Sequence, residues 1–356
     1  MATLYALPSL ATWTSTTGWS STSGGASAGR SPTSTDDVVF DANSGPSRSI
    51  NTSGGFCNNV STVGANPMTF TSTGGWLQIF GSLADFTGSV SVASIRLRNG
   101  LTASSTGSAS LKGQNVSFGT IYVSCSLTIL STLIVTTGLN FEDVTDTSSN
   151  GIPYNFTTNG FNITAPAVVK SNVGGGVMFV DNTTMTLTGP SYVSSLFSPG
   201  GSTITGGSSL TLKAQVAALT SDATITVPAN ATVEIVSTGT GGYYVVLYAT
   251  FSSVALNSLT VQGGCRVKFQ QGFTFTANNF AFNGTFSSPI VITSTDASTR
   301  ASLVKSGGST VYVDVCTYSC LNFSPANTFY ARAGTDAGNS SGITVYKAKP
   351  NMFAYF

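Results

Sequence analysis

The chain has 356 residues, of which 14 are Lys or Arg, 13 are Asp or Glu and none is His. A net charge of +1 leaves no electrostatic basis for gripping a nucleic-acid backbone. The lack of histidine excludes Ser-His-Asp and Cys-His catalysis and every histidine-ligated metal site.

Charged residues are only 8% of the chain, yet hydrophobic residues reach 41% and aromatics 10%, a composition opposite to that of disordered chains. Ser and Thr together number 104, so solubility must come from hydroxyls, amides and backbone rather than from ions. Val, Ile, Thr, Phe and Tyr are strand formers, and Gly, Asn, Ser and Asp make turns, so the composition is that of an all-β protein. No apolar run approaches the length of a membrane helix; the densest lies at Tyr243 to Ala249. Met1 to Trp13 shows neither a basic n-region nor a continuous apolar h-region, which predicts synthesis and folding in a cytosol.

In chain order, residues 1–50 stand apart. They hold Trp13 and Trp19, a Ser/Thr/Gly-rich stretch from Ser20 to Thr35, and then Asp36-Asp37-Val38-Val39-Phe40-Asp41, a turn followed by a strand. This segment is expected to cap the end of a repetitive β region or to dock on a partner. Residues 51–300 are monotonous. Alternating segments recur at Met68 to Thr71, Trp76 to Phe80, Ser89 to Leu97, Ile121 to Val135, Met178 to Thr188, Ser209 to Lys213, Ala223 to Val227, Thr232 to Val236, Tyr243 to Phe251, Ser258 to Val261, Arg266 to Phe275 and Ile290 to Thr293. Between them lie turn clusters such as Asn99-Gly100, Gly206-Gly207, Gly263-Gly264 and Asn283-Gly284. The best helical candidate is Leu212 to Leu219, about two turns at most.

Short strands with frequent turns fit stacked sandwiches or a solenoid. The run from Leu127 to Phe141 alternates apolar residues with Thr and Ser and has no charged turn, which favours a parallel β-helix. At roughly 20 to 28 residues per rung, residues 51–300 predict about ten rungs, a rod about 50 Å long. Residues 301–356 form the expected C-terminal β cap or oligomerisation segment. There, Ala301 to Lys305 and Thr310 to Val315 turn at Gly307-Gly308, and the chain ends with Phe353, Tyr355 and Phe356.

Two stretches carry a family likeness. The first runs from Pro32 to Gly45, then through Ser49-Ile50-Asn51 and Phe56 to Val60, preceded by Trp13 and Trp19 and followed by Leu77 to Leu83. It resembles the entry to a β-helix common in phage virion proteins and large bacterial surface proteins. The second, Pro289 to Ser294 through Phe329 to Gly342, resembles the closing segment of phage tail proteins; Ile343 stands where those usually place a tryptophan. The likeness is confined to the two ends, and the middle matches only in texture. It implies a virion-exposed tail spike, tail fibre or decoration protein, often a homotrimer, in contact with other virion proteins and with a host surface glycan.

The candidate sites are sparse. Glu142, Asp143 and Asp146 form the densest acidic cluster, read as a polar turn rather than as the paired carboxylates of a glycosidase or a Ca²⁺ site. Asp36, Asp37 and Asp41 read as turn residues, and Glu234 is the second glutamate. Tyr243, Tyr244 and Tyr248 are candidates for stacking on sugar rings; alternation puts Tyr244 and Tyr248 on one face and Tyr243 on the other, with one face expected to be core. Arg96 and Arg98 share a face expected to meet solvent. Asn-x-Ser/Thr occurs ten times, for example at Asn51, Asn115 and Asn283, about as often as this composition gives by chance. Gly174-Gly175-Gly176 precedes neither a helix nor a Lys and is not a phosphate loop. The five cysteines, Cys57, Cys125, Cys265, Cys316 and Cys320, are expected to be buried apolar residues rather than disulfides or metal ligands.

These readings predict a phage virion structural protein attaching to a host surface by multivalent binding. They predict no catalytic, metal or cofactor residue, no nucleic acid and no membrane insertion. A capsid decoration protein and a polysaccharide depolymerase on the same scaffold are the alternatives.

Overall fold

The computed structural model describes residues 1–87, 90–98, 108–114, 116–141, 155–170, 177–189, 195–199, 203–216, 219, 221–239, 242–249, 251–307 and 309–346. The chain is all-β and forms a parallel β-solenoid, as the alternation predicts. Helix among the described residues is confined to two single 3-10 turns, Ala42–Ser44 and Gly207–Ser209. The chain divides into two compact units, Met1–Thr184 with Ser198–Gly206, and Met185–Phe197 with Gly207–Phe356.

The first unit contains a ten-stranded sheet in which every neighbouring pair but one is parallel and comes from successive rungs. Val38, Val60, Ala84 and Leu111 are register partners in turn, each one turn of the coil beyond the last. All four are buried. Parallel stacking in register sets like above like, so an apolar side chain at one inward position continues the core of the rung before it. Thr3–Ala6 lies parallel to Asp37–Val39, and Trp19–Ser20 runs antiparallel along its other side as the outermost strand. That strand covers a row of backbone groups that would otherwise be open to pairing. Trp13 and Trp19 are buried against Phe40, and Trp13 also against Phe70.

In the second unit, Ala223–Val227, with burial alternating between its Thr and its apolar residues, shows the rule plainly. Ala223, Val245, Val267, Ile292 and Tyr318 stack inward, rung upon rung. The parallel pairing continues past residue 300: Val311–Asp314, Phe329–Arg332 and Ile343–Tyr346 form successive rungs.

Three local expectations are corrected. The helical candidate Leu212 to Leu219 is a strand over its described first part: Thr211–Val216 pairs with Thr232–Thr238, because its period-2 burial outweighs a short helical pattern. Ile121 to Val135 and Met178 to Thr188 are each broken into separate strands, the second at Asn182, whose left-handed φ of 51° turns the corner. Ala301–Lys305 and Val311–Asp314 do not pair with each other; each stacks on Thr274–Asn283 below and on Leu321–Ser324 or Phe329–Arg332 above. Opposite Gly119 the Leu133–Phe141 strand bulges, with Thr136 and Thr137 facing that one residue of Ser117–Val123, and a Cβ at Gly119 would collide with the Ala93 carbonyl of the strand on the other side.

Candidate functional site

With inward positions filled by apolar groups, whatever the solenoid recognises must be read by outward positions. In the second unit three successive strands read Val-Tyr-Val-Asp, Phe-Tyr-Ala-Arg and Ile-Thr-Val-Tyr. Val311, Val313, Phe329 and Ala331 are buried, which turns Tyr312, Asp314, Tyr330 and Arg332 outward. Register sets Tyr312 beside Tyr330, and Asp314 beside Arg332, itself beside Tyr346. Ring centroids lie 6.4 Å apart for Tyr312–Tyr330 and 5.4 Å for Tyr330–Tyr346. Tyr312 is 44% exposed and Tyr346 55%.

The neighbouring outward row is polar. Arg332 donates from Nε and Nη2 to the two carboxylate oxygens of Asp314, both at 2.6 Å, and its guanidinium carbon sits 4.1 Å from the centroid of the Tyr312 ring. The hydrogen bond to Asp314 holds the Arg332 guanidinium above its ordinary pKa, with a smaller coulombic contribution from the same carboxylate. One rung below, Asn283 lies beside Asp314, and its Nδ2 donates to Gln262 Oε1 at 3.3 Å. Aromatic faces, two amides and a neutralised ion pair thus form one surface. Such a set stacks on the C–H faces of sugar rings and hydrogen-bonds their hydroxyls, and with no excess charge it suits a neutral saccharide.

The tyrosines singled out in the sequence lie on another wall. Tyr243 and Tyr244 precede the strand Val245–Ala249, so the expected alternation does not reach them, and none of the three is core. Tyr243 and Tyr248 are 40% and 36% exposed. Tyr244 is half-buried, its hydroxyl accepting from Arg266 Nη2 at 2.6 Å.

Arg96 and Arg98 correct the expectation of a solvated face. Arg96 is only 5% exposed, its guanidinium carbon 3.8 Å from the Trp76 ring centroid and 5.6 Å from that of Tyr122, both on adjacent rungs. Arg98 lies over Phe80 and donates to Gln78 Oε1 at 3.1 Å. An outward position is therefore not always a wet one when stacked aromatics close over it.

Among the described residues the acidic side chains do not converge. Asp36 accepts from both Arg30 Nη atoms, at 2.6 and 3.0 Å, and from Thr33 N and Oγ1. The Arg30 guanidinium, followed by the Thr33 bonds, holds its carboxyl well below the usual carboxylate range against the opposing effect of burial. Asp37 accepts from the Nδ2 atoms of Asn58 and Asn59, both at 2.8 Å, and Asp41 caps the 3-10 turn by accepting from Asn43 N. Glu234 points outward, between Lys213 and Thr260 by register. Among the described residues no three His, Cys, Asp or Glu side chains gather where a metal ion could be held. Glu142, Asp143, Asp146, Asn99-Gly100, Asn115, Gly174 to Gly176, Gly308, Phe353, Tyr355 and Phe356 lie outside the described residues.

All five cysteines are free and buried. Burial pushes the thiols of Cys57, Cys125, Cys265 and Cys316 up, to about 12 for Cys125 and Cys316 and about 11 for Cys265.

Tyr312, Tyr330 and Tyr346 escaped the sequence reading. The signal was present as tyrosines of outward parity on successive rungs, but it becomes legible only once the shortened rungs fix which strand lies on which. In comparison with known proteins, the chain matches no family model, no curated protein and no solved structure.

Proposed function

We propose that this chain is a phage virion attachment protein of the tail-spike or tail-fibre type, and that it binds host surface glycan through the Tyr312, Tyr330 and Tyr346 wall. The observation that carries the reading is that row of outward tyrosines, two of them open to solvent, beside an amide and ion-pair row. The resemblance of the two ends to phage virion proteins supports the virion setting. In that setting the chain assembles as a homotrimer with other virion proteins. A single tyrosine contact with a sugar ring contributes about 1 kcal/mol, so useful retention on a cell comes from repeated copies engaging together.

The test is binding of purified protein to immobilised neutral glucan and to intact host envelope glycan. Tyr330→Ala, at the centre of the row, is expected to weaken binding about five-fold while leaving the circular dichroism spectrum unchanged. Undiminished binding by Tyr330→Ala and by Tyr346→Ala removes the wall from the proposal. Absence of the chain from purified particles, probed with an antibody in electron micrographs, removes the virion role.

A further inference from the structure

A second wall of the same unit has the opposite electrostatic character. It is built by Ala223–Val227, Val245–Ala249, Arg266–Phe269 and Ile290–Ser294, paired in parallel. The Tyr244 ring lies at its centre, with the Arg266 guanidinium carbon 4.5 Å and the Lys268 Nζ 4.3 Å from the ring centroid. Asp222 is fully engaged: one carboxylate oxygen takes Lys268 Nζ at 2.7 Å, and the other accepts from the Tyr244 backbone N–H at 2.9 Å. Arg266 makes its side-chain bond to a neutral phenol, and among the described residues it has no carboxylate partner. None of the four strands, nor Cys316–Ser319 on the next rung, carries an acidic residue. Two cations thus face one carboxylate, and one positive charge is left over.

We propose that this wall binds the anionic group of a surface polymer, a uronate carboxylate or a phosphodiester, at Arg266 with Lys268 alongside. The inference rests on the attachment reading and adds an acidic component to its ligand. Stacking on Tyr244 fixes the Arg266 plane in advance, so less side-chain entropy is lost when an anion arrives. Bonds from a guanidinium to a charged oxygen are about twice as strong as neutral ones. Thr293 and Ser319, whose hydroxyls lie 2.8 Å apart on the next two rungs, offer neutral donors and acceptors to the rest of a sugar. Tyr243 and Tyr248 leave aromatic surface open on the same strand region.

The experiment immobilises polygalacturonate, a glycerol-phosphate teichoic acid and a neutral glucan, and measures binding of the full chain, Arg266→Gln and Arg266→Lys. The expected result is wild-type binding to at least one anionic polymer that weakens between about 50 and about 300 mM salt. Arg266→Gln should lose about ten-fold on that polymer, Arg266→Lys, which keeps the charge but not the stacked plane, should lose less than Arg266→Gln, and the neutral glucan should not distinguish the three proteins. Preference for polygalacturonate identifies a carboxylate ligand, and preference for teichoic acid a phosphodiester. Equal binding of wild type and Arg266→Gln to both anionic polymers overturns the inference and leaves the tyrosine wall standing, as does binding to the glucan alone. Failure of all three polymers to bind overturns the attachment reading and this inference with it.

Discussion

The aromatic column inside the first unit and the tyrosine row outside the second use the same kind of side chain to opposite ends. Inside, Trp19, Trp13, Phe40, Phe70, Phe86 and Phe118 follow one another with ring centroids 5.2, 5.9, 5.1, 6.1 and 5.6 Å apart. Outside, Tyr312, Tyr330 and Tyr346 are spaced by 6.4 and 5.4 Å. The outer rings sit on strands stacked about 4.8 Å apart, Tyr312 and Tyr330 in register and Tyr346 on the diagonal, whereas Phe70, Phe86 and Phe118 come alternately from two sheets and meet across the core. What separates a core from a recognition surface is a single step of parity along the strand. Inward rings exchange water for each other and stabilise the coil; outward rings keep a free face and leave stability nearly untouched.

The largest way to break that contrast is to truncate an inward ring. Trp13 is 1% exposed, and its Nε1 donates to the Phe56 carbonyl at 3.0 Å while its own carbonyl accepts from Trp19 Nε1 at 2.9 Å. Trp13→Ala leaves a cavity and an unpartnered carbonyl at Phe56, and should cost about 3–5 kcal/mol in urea-denaturation stability. Tyr330→Ala should cost under about 1 kcal/mol. Equal losses at the two positions would mean that inward and outward rings do not differ in their contribution to stability as described.

A second, smaller effect sharpens the inner half of the comparison. Cys125, Cys265 and Cys316 are buried with their thiols raised to about 12, 11 and 12 by desolvation. In the unfolded chain they ionise near 8.5, roughly. Their protonated state therefore stabilises the fold fully below that value and loses its contribution as pH rises toward the folded values. Each such thiol should cost about 1 kcal/mol of stability between about pH 8 and about pH 9.5. Replacing one, as in Cys125→Ala, should flatten the alkaline limb of the stability profile by that share. A profile identical to wild type would show that the thiol is already open to solvent in the folded protein.

These contrasts also mark how far the sequence could be read. The coil was legible because its rule is local: Ala-Thr-Ile-Thr-Val at 223–227 declares its inward face without reference to any partner. The burial of all five cysteines followed from composition in the same way. Corners were less legible, since alternation continues through them; only the structure breaks Met178 to Thr188 at Asn182. The surface was least legible because it depends on which rungs are neighbours. Arg96 looks solvated in the sequence, yet Trp76 and Tyr122, distant along the chain, close over it from the rungs on either side. The tyrosine row is likewise invisible until the short final rungs are laid on each other.

The smallest effect tests the outer row itself. The Asp314–Arg332 pair has good bidentate geometry, but the Arg332 side chain is 53% exposed and that of Asp314 27%, so water competes for both ends. A pair so placed contributes under about 1 kcal/mol, and a double-mutant cycle of Asp314→Asn and Arg332→Gln should return a coupling within that limit. Its consequence is local instead. Arg332 lies 4.1 Å from the Tyr312 centroid, so it props the ring, and its charge is cancelled by Asp314. Arg332→Gln should leave the denaturation midpoint nearly unchanged while exposing an uncompensated carboxylate beside the tyrosines. Neutral-glucan binding should then fall modestly, about two- to five-fold, and the loss should be recovered in the double variant, where no charge remains. A coupling above that limit in stability would instead make this pair a structural clamp, and the outer wall would no longer differ in kind from the core.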